Sequence, residues 1–369
     1  MITPPFRADH IGSFLRPDSL MDAVRARRAK EIDDLELGKA QNRAIKEIFA
    51  MQENLGLRSV TDGEFRRRGW SAGFIDAVSG FGLREGAIGF KKNGKEQKAE
   101  LSPFASGRLE RNKPIVASDL AFVKSIAKSA TPKATIASPP VMHYFLGPLA
   151  VDKAVYPDIE EYYSDLTSIY REEIVALHRV GCTYLQLDET ALPCNCDPNF
   201  RADVRARGES PDDLTRRYSQ LINDAIDGRP EGMTVGIHMC RGNLKGTWMA
   251  EGGYDPIAEI IFTQTRVDAW FMEYDTDRAG DFSPLRFMPD DKKVVLGLVS
   301  TKTPELEAKD TLKRRIDEAS KYIPMERLCL SPQCGFSSAP GRGQVLTEDD
   351  QRRKLSLVVE TAEEVWGAI

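Results

Sequence analysis

Residues 159–188 read IEEYYSDLTSIYREEIVALHRVGCTYLQLD. Apolar side chains recur at helical spacing over 159–180, Gly181 stops that pattern, and 184–188 is a strand-sized apolar run that closes on a carboxylate. Outward from this unit the same alternation continues. By length and breakers, strand candidates fall at 6–11, 59–62, 134–137, 184–188, 234–238, 269–273, 293–298 and 328–330. Helical patterns lie at 18–54, 117–128, 159–180, 211–227, 256–265, 304–320 and 347–366. Several of them open on Asp-Pro, Ser-Pro or Thr-Pro, and Thr347 precedes three acids; both are helix-start signals. Alternating strand and helix calls for a parallel sheet with crossovers. Eight such units predict a closed (β/α)8 TIM barrel spanning 1–369 as one domain, with an open doubly wound sheet as the alternative.

One segment interrupts the rhythm. Residues 83–113, LREGAIGFKKNGKEQKAELSPFASGRLERNK, are polar, basic around Lys91, Lys92, Lys95 and Lys98, and carry Asn93-Gly94 at a turn. They predict a surface hairpin inserted after the second strand, or a lid beside the strand ends.

Composition narrows the function. With 51 basic and 56 acidic side chains the net charge is −5, which gives no global attraction to nucleic acid or to an anionic membrane. The longest apolar runs are strand-sized, far below a membrane span, and the first residues lack a signal-peptide pattern, so the cytoplasm is the expected compartment. There six Cys read as thiols or metal ligands rather than disulfides.

In a barrel the C-terminal ends of all strands open on one face. Gly236-Ile237-His238-Met239-Cys240 ends the fifth strand with an imidazole and a thiol two residues apart, on one side of the chain. The sixth strand ends at Glu273, and Cys334 follows the eighth. Two thiolates, an imidazole and a carboxylate suit Zn²⁺, so His238, Cys240, Glu273 and Cys334 are the candidate ligands. Cys182 and Cys329 read as packed small residues. Cys194 and Cys196, in the loop after the fourth strand, are a weaker metal or redox candidate.

The order and strand-end positions of Ile11-Gly12-Ser13, Asp62-Gly63-Glu64, Leu187-Asp188-Glu189, His238-x-Cys240, Glu273 and Ser331-Pro332-Gln333-Cys334-Gly335-Phe336 resemble the cobalamin-independent methionine synthases, specifically their zinc-bearing catalytic barrel. The combination is specific and covers nearly the whole chain, whose length suits the single-barrel branch. The resemblance implies zinc on His238, Cys240, Glu273 and Cys334; of these Glu273, the hardest ligand, is the one expected to be displaced by an incoming thiol. It implies Ile11 and Ser13 around the carboxylate of an amino-acid thiol, and Glu64 and Asp188 on its ammonium group. Two departures stand out. Where the family has a folate-site Trp after the third strand, this chain reads Ala137-Ser138-Pro139-Pro140-Val141-Met142-His143-Tyr144, which predicts a methyl donor other than the usual polyglutamyl folate. Where the family has a proton-relay His after the seventh strand, this chain has Lys302; Lys302 and His143 are therefore the candidate acid–base residues.

The expected function is zinc-dependent transfer of a methyl or alkyl group to a small thiol, most simply homocysteine to give methionine. The alternatives are a zinc-dependent lyase or alkyltransferase acting on another thiol, an epoxide or a thioether, a metal-free barrel of the uroporphyrinogen-decarboxylase type, and a zinc-binding scaffold without turnover. The partners are a homocysteine-like thiol and a donor left open, and association into a homo-oligomer is left open as well.

Overall fold

The computed structural model describes residues 3–85, 91–92, 95–96, 101–337 and 344–367, with 91–92, 95–96 and 101 described by their backbone. In chain order the strands are β1 (Ser59–Val60), β2 (Val78–Glu85), β3 (Lys91–Lys92), β4 (Lys95–Glu96), β5 (Leu101–Arg111), β6 (Thr131–Pro132), β7 (Ala134–Ala137), β8 (Tyr184–Glu189), β9 (Thr234–Met239), β10 (Ala269–Glu273), β11 (Lys293–Val299) and β12 (Leu328–Pro332). β7 to β12 form one parallel sheet in sequence order. Only Lys133 separates β6 from β7, and β6 pairs in parallel with β1. On the opposite edge Ala8 bridges Leu330 of β12 in parallel, with the Asp9 amide donating to the Leu330 carbonyl at 3.0 Å and the Leu330 amide to the Arg7 carbonyl at 2.8 Å. The ring therefore closes into the predicted (β/α)8 barrel. Every residue of β7, β8, β10 and β12 is buried, as parallel strands covered on both faces must be.

The first strand is the weakest part of that reading. Residues 6–11 make a single bridge instead of a ladder. The cause is Asp9, whose carboxylate takes the amides of Phe6 (3.3 Å) and His10 (2.8 Å) and so competes locally with strand pairing. The same carboxylate accepts from Ser59 Oγ (2.7 Å), Tyr184 OH (2.8 Å) and Lys133 Nζ (3.0 Å), and both Asp9 and Lys133 have fully buried side chains. Side chains thus tie the first segment to Ser59 of β1, to Lys133 and to Tyr184 of β8, in addition to its one backbone bridge to β12.

Two predicted helices are shorter than their patterns. Residues 18–54 form Asp18–Arg28 and Asp34–Asn54, because Asp33 and Glu36 make a capping box that starts the second helix afresh. Pro304 starts no helix. The Glu307 carboxylate takes the Ser300 amide at 2.7 Å, and buried Lys354 donates to the Glu305 carbonyl, so 300–307 is pinned as a loop and the helix begins at Lys309. Short helices at Ala72–Ala77, Val141–Tyr144, Ala191–Cys194 and Pro198–Ala206 lie between the elements that the sequence pattern predicts.

The insertion is a hairpin, as predicted, but its first strand starts at Val78, five residues earlier than the composition change. β2 pairs antiparallel with β5, and β3 with β4. The Asn93-Gly94 turn, Lys98 and the side chains of Lys91, Lys92 and Lys95 lie outside the described residues. Among the described residues no helix is long and apolar enough to cross a membrane.

Asp9→Asn removes the counter-charge of a buried ammonium while keeping the shape. Breaking a buried pair from one side costs ~3–5 kcal/mol. Chemical denaturation should show a loss of that size, and a loss below ~1 kcal/mol would mean that the seam does not rest on this pair.

Candidate functional site

β8 and β9 lie side by side with Asp188 opposite His238, so both side chains reach the same end of the barrel. Residues i and i+2 of a strand share a face, and the Cys240 amide still bonds the Glu189 carbonyl at 3.1 Å, so Cys240 points the way His238 does. The loop after β12 brings Cys334 over them. The Cys240 and Cys334 sulfurs are 3.6 Å apart, and one ligand atom each of His238, Cys240 and Cys334 lies within 4.8 Å of the others. Two sulfurs bound tetrahedrally at ~2.3 Å would sit about 3.8 Å apart, so the spacing fits a single zinc-sized ion. All three residues are buried.

The surroundings suit a cation as well. His238 Nδ1 meets Asp188 Oδ1 at 3.2 Å, the kind of carboxylate contact that orients metal-binding imidazoles, and Nε2 lies 3.3 Å from the Gln333 carbonyl. Burial works against charge on His238, but Asp188 and Cys240 outweigh it and raise its pKa to about 10. Cys334, with burial, pushes the Cys240 thiol well above its ordinary range. Two adjacent thiols resist ionising together, and a bound dication is what relieves that.

Glu273 stands apart. Among the described residues it is not part of the group of mutually close metal-ligating atoms. Its Oε2 takes the Arg241 amide at 2.7 Å, and its Oε1 takes Arg278 Nη2 at 2.6 Å and Lys302 Nζ at 3.4 Å. Burial alone would raise its pKa, yet Lys302, Arg241 and Arg278 together hold it well below the usual carboxylate range. Lys302 is thus a buried counter-ion of Glu273 and does not line the cavity described next. His143 does not line it either. It is packed edge-on against Tyr163 and Tyr218, bonded through Nδ1 to the Tyr218 hydroxyl at 2.8 Å, and burial drives its pKa down to about 3.

A cavity of about 290 Å³ opens beside His238, Cys240 and Cys334. Ile11, Ser13, Glu64 and Asp188, the four residues that the resemblance assigns to an amino-acid thiol, all line it. Gly12, at φ +126°, lets this backbone turn pass where a Cβ would meet Thr135 at 2.8 Å. Glu64 has φ +62°, a costly conformation for a side-chain-bearing residue and one that recurs at functional sites. Its Oε1 accepts from Thr135 Oγ1 at 3.0 Å, with Arg67 Nη1 at 3.5 Å. Burial raises the Glu64 pKa, Asp188 and Asp62 add to that, and Arg67 only partly offsets it. This is a carboxylate short of positive charge.

Sequence reasoning missed the aromatic wall. Trp70, from the loop after β1, and Phe145, following Val141–Tyr144, both line the cavity. A Trp was sought only after the third strand, and no local pattern links Trp70 to that side of the barrel. Ser102 and Pro103 of β5 also reach the wall, so the hairpin contributes to the site. Of the remaining thiols, Cys182, Cys194, Cys196 and Cys329 are buried in the core and outside the ligand group.

Comparison with known proteins agrees with this geometry. The family model for the catalytic domain of cobalamin-independent synthases matches residues 6–364. The uncharacterised Bacillus subtilis protein YxjH is 41% identical over 363 residues, covering 98% of this chain and 95% of its own. A Listeria monocytogenes structure, provisionally described as a vitamin-B12-independent methionine synthase, is 34% identical with a TM-score of 0.79 and 100% of each chain covered. The methionine synthase of Pyrococcus abyssi is 26% identical over 326 residues, covering 88% of this chain and 85% of its own.

Glu273 gives the site a pH signature. A folded pKa below the unfolded one contributes stability above the unfolded value and loses it as pH falls toward the folded value. Glu273→Gln should therefore be less stable than the parent near neutrality, and the gap should narrow as pH drops below about 4.5. Urea unfolding across that range checks it; a gap independent of pH would mean the cations do not depend on this carboxylate's charge.

Proposed function

The chain belongs to the family of cobalamin-independent synthase catalytic domains, and on that footing we propose that it is a zinc-dependent methyltransferase that alkylates a small thiol, most simply homocysteine to give methionine. The observation that carries this reading is the convergence of His238, Cys240 and Cys334 at the mouth of a cavity whose other polar residues suit an amino acid. Zinc held by these three residues would lower the pKa of a bound thiol, so that a nucleophilic thiolate is present at neutral pH.

The chain's own residues do the rest. Glu64 and Asp188 offer two carboxylates to an ammonium group, and the raised pKa of Glu64 marks the charge that such a group would supply. Ile11 and Ser13, beside the Gly12 turn, hold the carboxylate end. Asp188 has a second task, since the oxygen that meets His238 fixes the ring toward the sulfurs. Glu273, clamped by Arg278, Lys302 and the Arg241 amide, stays with these cations and leaves the cavity-facing side of the ligand group to the thiol. Trp70 and Phe145 give the donor an aromatic surface, which keeps a pterin-bearing donor in the field beside methylcobalamin and methyl thioethers.

Two measurements test the reading. Metal analysis should find one zinc per chain, lost in Cys240→Ser and Cys334→Ser with most of the fold intact, because a barrel of this size buries a sufficient core without a metal. Turnover of homocysteine should appear with at least one member of a donor panel comprising mono- and polyglutamyl methylfolate, methylcobalamin and methyl thioethers. A fully active protein without zinc would overturn the proposal.

Glu64→Gln should weaken homocysteine binding by roughly 10- to 100-fold, the range for losing a hydrogen bond to a charged group. Calorimetry against a thiol of the same length lacking the amino group supplies the control, since that ligand should be indifferent to the change. Equal losses for both thiols would place the amino group elsewhere.

A further inference from the structure

The inward face of β8 carries Tyr184, Gln186 and Asp188 at successive i, i+2, i+4 positions. Each is bonded to a different part of the barrel. Tyr184 OH donates to Asp9 at the seam, and Asp188 meets His238. Gln186, fully buried between them, accepts from Lys133 Nζ at 3.1 Å through Oε1, and through Nε2 donates to Asp188 Oδ1 at 2.7 Å and to the Ile11 carbonyl at 2.7 Å.

The direction of this amide is dictated. An ammonium only donates, while a carboxylate and a carbonyl only accept. Turning the amide over would set an NH₂ against Lys133 and an oxygen against both Asp188 and Ile11, making three contacts repulsive at once. Lys133 cannot move aside, because its Nζ also serves Asp9 and the His10 carbonyl. We infer that Gln186, held in one orientation by Lys133, is a positioning residue of the site: it fixes Asp188, and through it the His238 ring, together with the Ile11 backbone. It touches neither the cavity nor the three ligand atoms. The inference rests on the metal reading above and extends it to a residue one layer deeper, reached by none of the sequence motifs.

Gln186→Glu is the discriminating variant. It keeps the size and the acceptor that Lys133 needs, but puts an oxygen where Nε2 now donates to Asp188 and Ile11. Zinc affinity, measured by chelator competition on the purified full chain, should fall by roughly 10- to 100-fold, the usual effect of losing a partner behind a metal-bound His. The cobalt-substituted protein should show shifted visible absorption bands, and thermal stability should fall as well, since two buried contacts become repulsive. Gln186→Met, uncharged and of similar length, should show the same zinc loss together with lower stability, since Lys133 also loses its acceptor; it serves as the test if Gln186→Glu does not fold. Wild-type zinc affinity and cobalt spectra in the folded variants would reduce Gln186 to a packing residue and overturn the inference. A parent chain that binds zinc through these residues but methylates no thiol would instead overturn the proposed function and leave the positioning role standing. A parent that binds no zinc overturns both.

Discussion

The barrel depends on an ion pair that water does not reach. Burying an ammonium and a carboxylate is expensive, and the attraction between them repays it only when the remaining hydrogen-bonding capacity is filled. Asp9 meets that condition with five donors drawn from four chain segments, and Lys133 with acceptors from three residues. The pair sits where backbone pairing is thinnest, at a first segment joined to β12 by one bridge. Holding Phe6 to His10 in place also fixes where Ile11, Gly12 and Ser13 emerge into the cavity. Closure of the fold and shape of the site are one constraint.

Charge is sorted by depth around the cavity. The two acids that line it, Glu64 and Asp188, have protein partners on one side and space on the other. The carboxylate behind the thiols, Glu273, is instead saturated by cations and an amide. On the proposed function such a site would hold positive charge in two places, an ion among His238, Cys240 and Cys334 and an ammonium beside Glu64, the latter sharing that carboxylate with Arg67 at 3.5 Å. The family to which the chain belongs is consistent with that division of labour.

The sequence made the fold legible because parallel strands buried on both faces read as unbroken apolar runs. β7 and β10 end where the pattern said they would, and β8, β9 and β11 run one residue further. It failed where a single polar residue overrode a pattern. Asp9 broke up the first strand, Asp33 divided a long helix, and Glu307 with Lys354 cancelled the start signal at Pro304. Among site residues, strand-end motifs located Ile11, Ser13, Glu64, Asp188, His238, Cys240 and Cys334 at the cavity. Lys302 stands where the resembled family has its proton-relay His and His143 is the nearest imidazole, but place along the chain does not say whether a side chain faces a cavity, a carboxylate or a tyrosine. Trp70 and Gln186 had no signal, because their importance is relational: each matters through what another strand places opposite it.

His238 and Cys240 come from consecutive inward positions of one strand, with Ile237 and Met239 wholly buried on the other side. That alternation acts as a parity lock on genetic change. Insertion or loss of a single residue between Thr234 and Cys240 would exchange the imidazole and thiol for an isoleucine and a methionine, while turning two polar groups into the packed layer between strand and helices. Only changes in steps of two preserve the arrangement. The loops that carry Glu64 and Cys334 answer to distance alone, whereas the stretch from Thr234 to Cys240 answers to parity as well, so it absorbs substitutions but not the gain or loss of one residue.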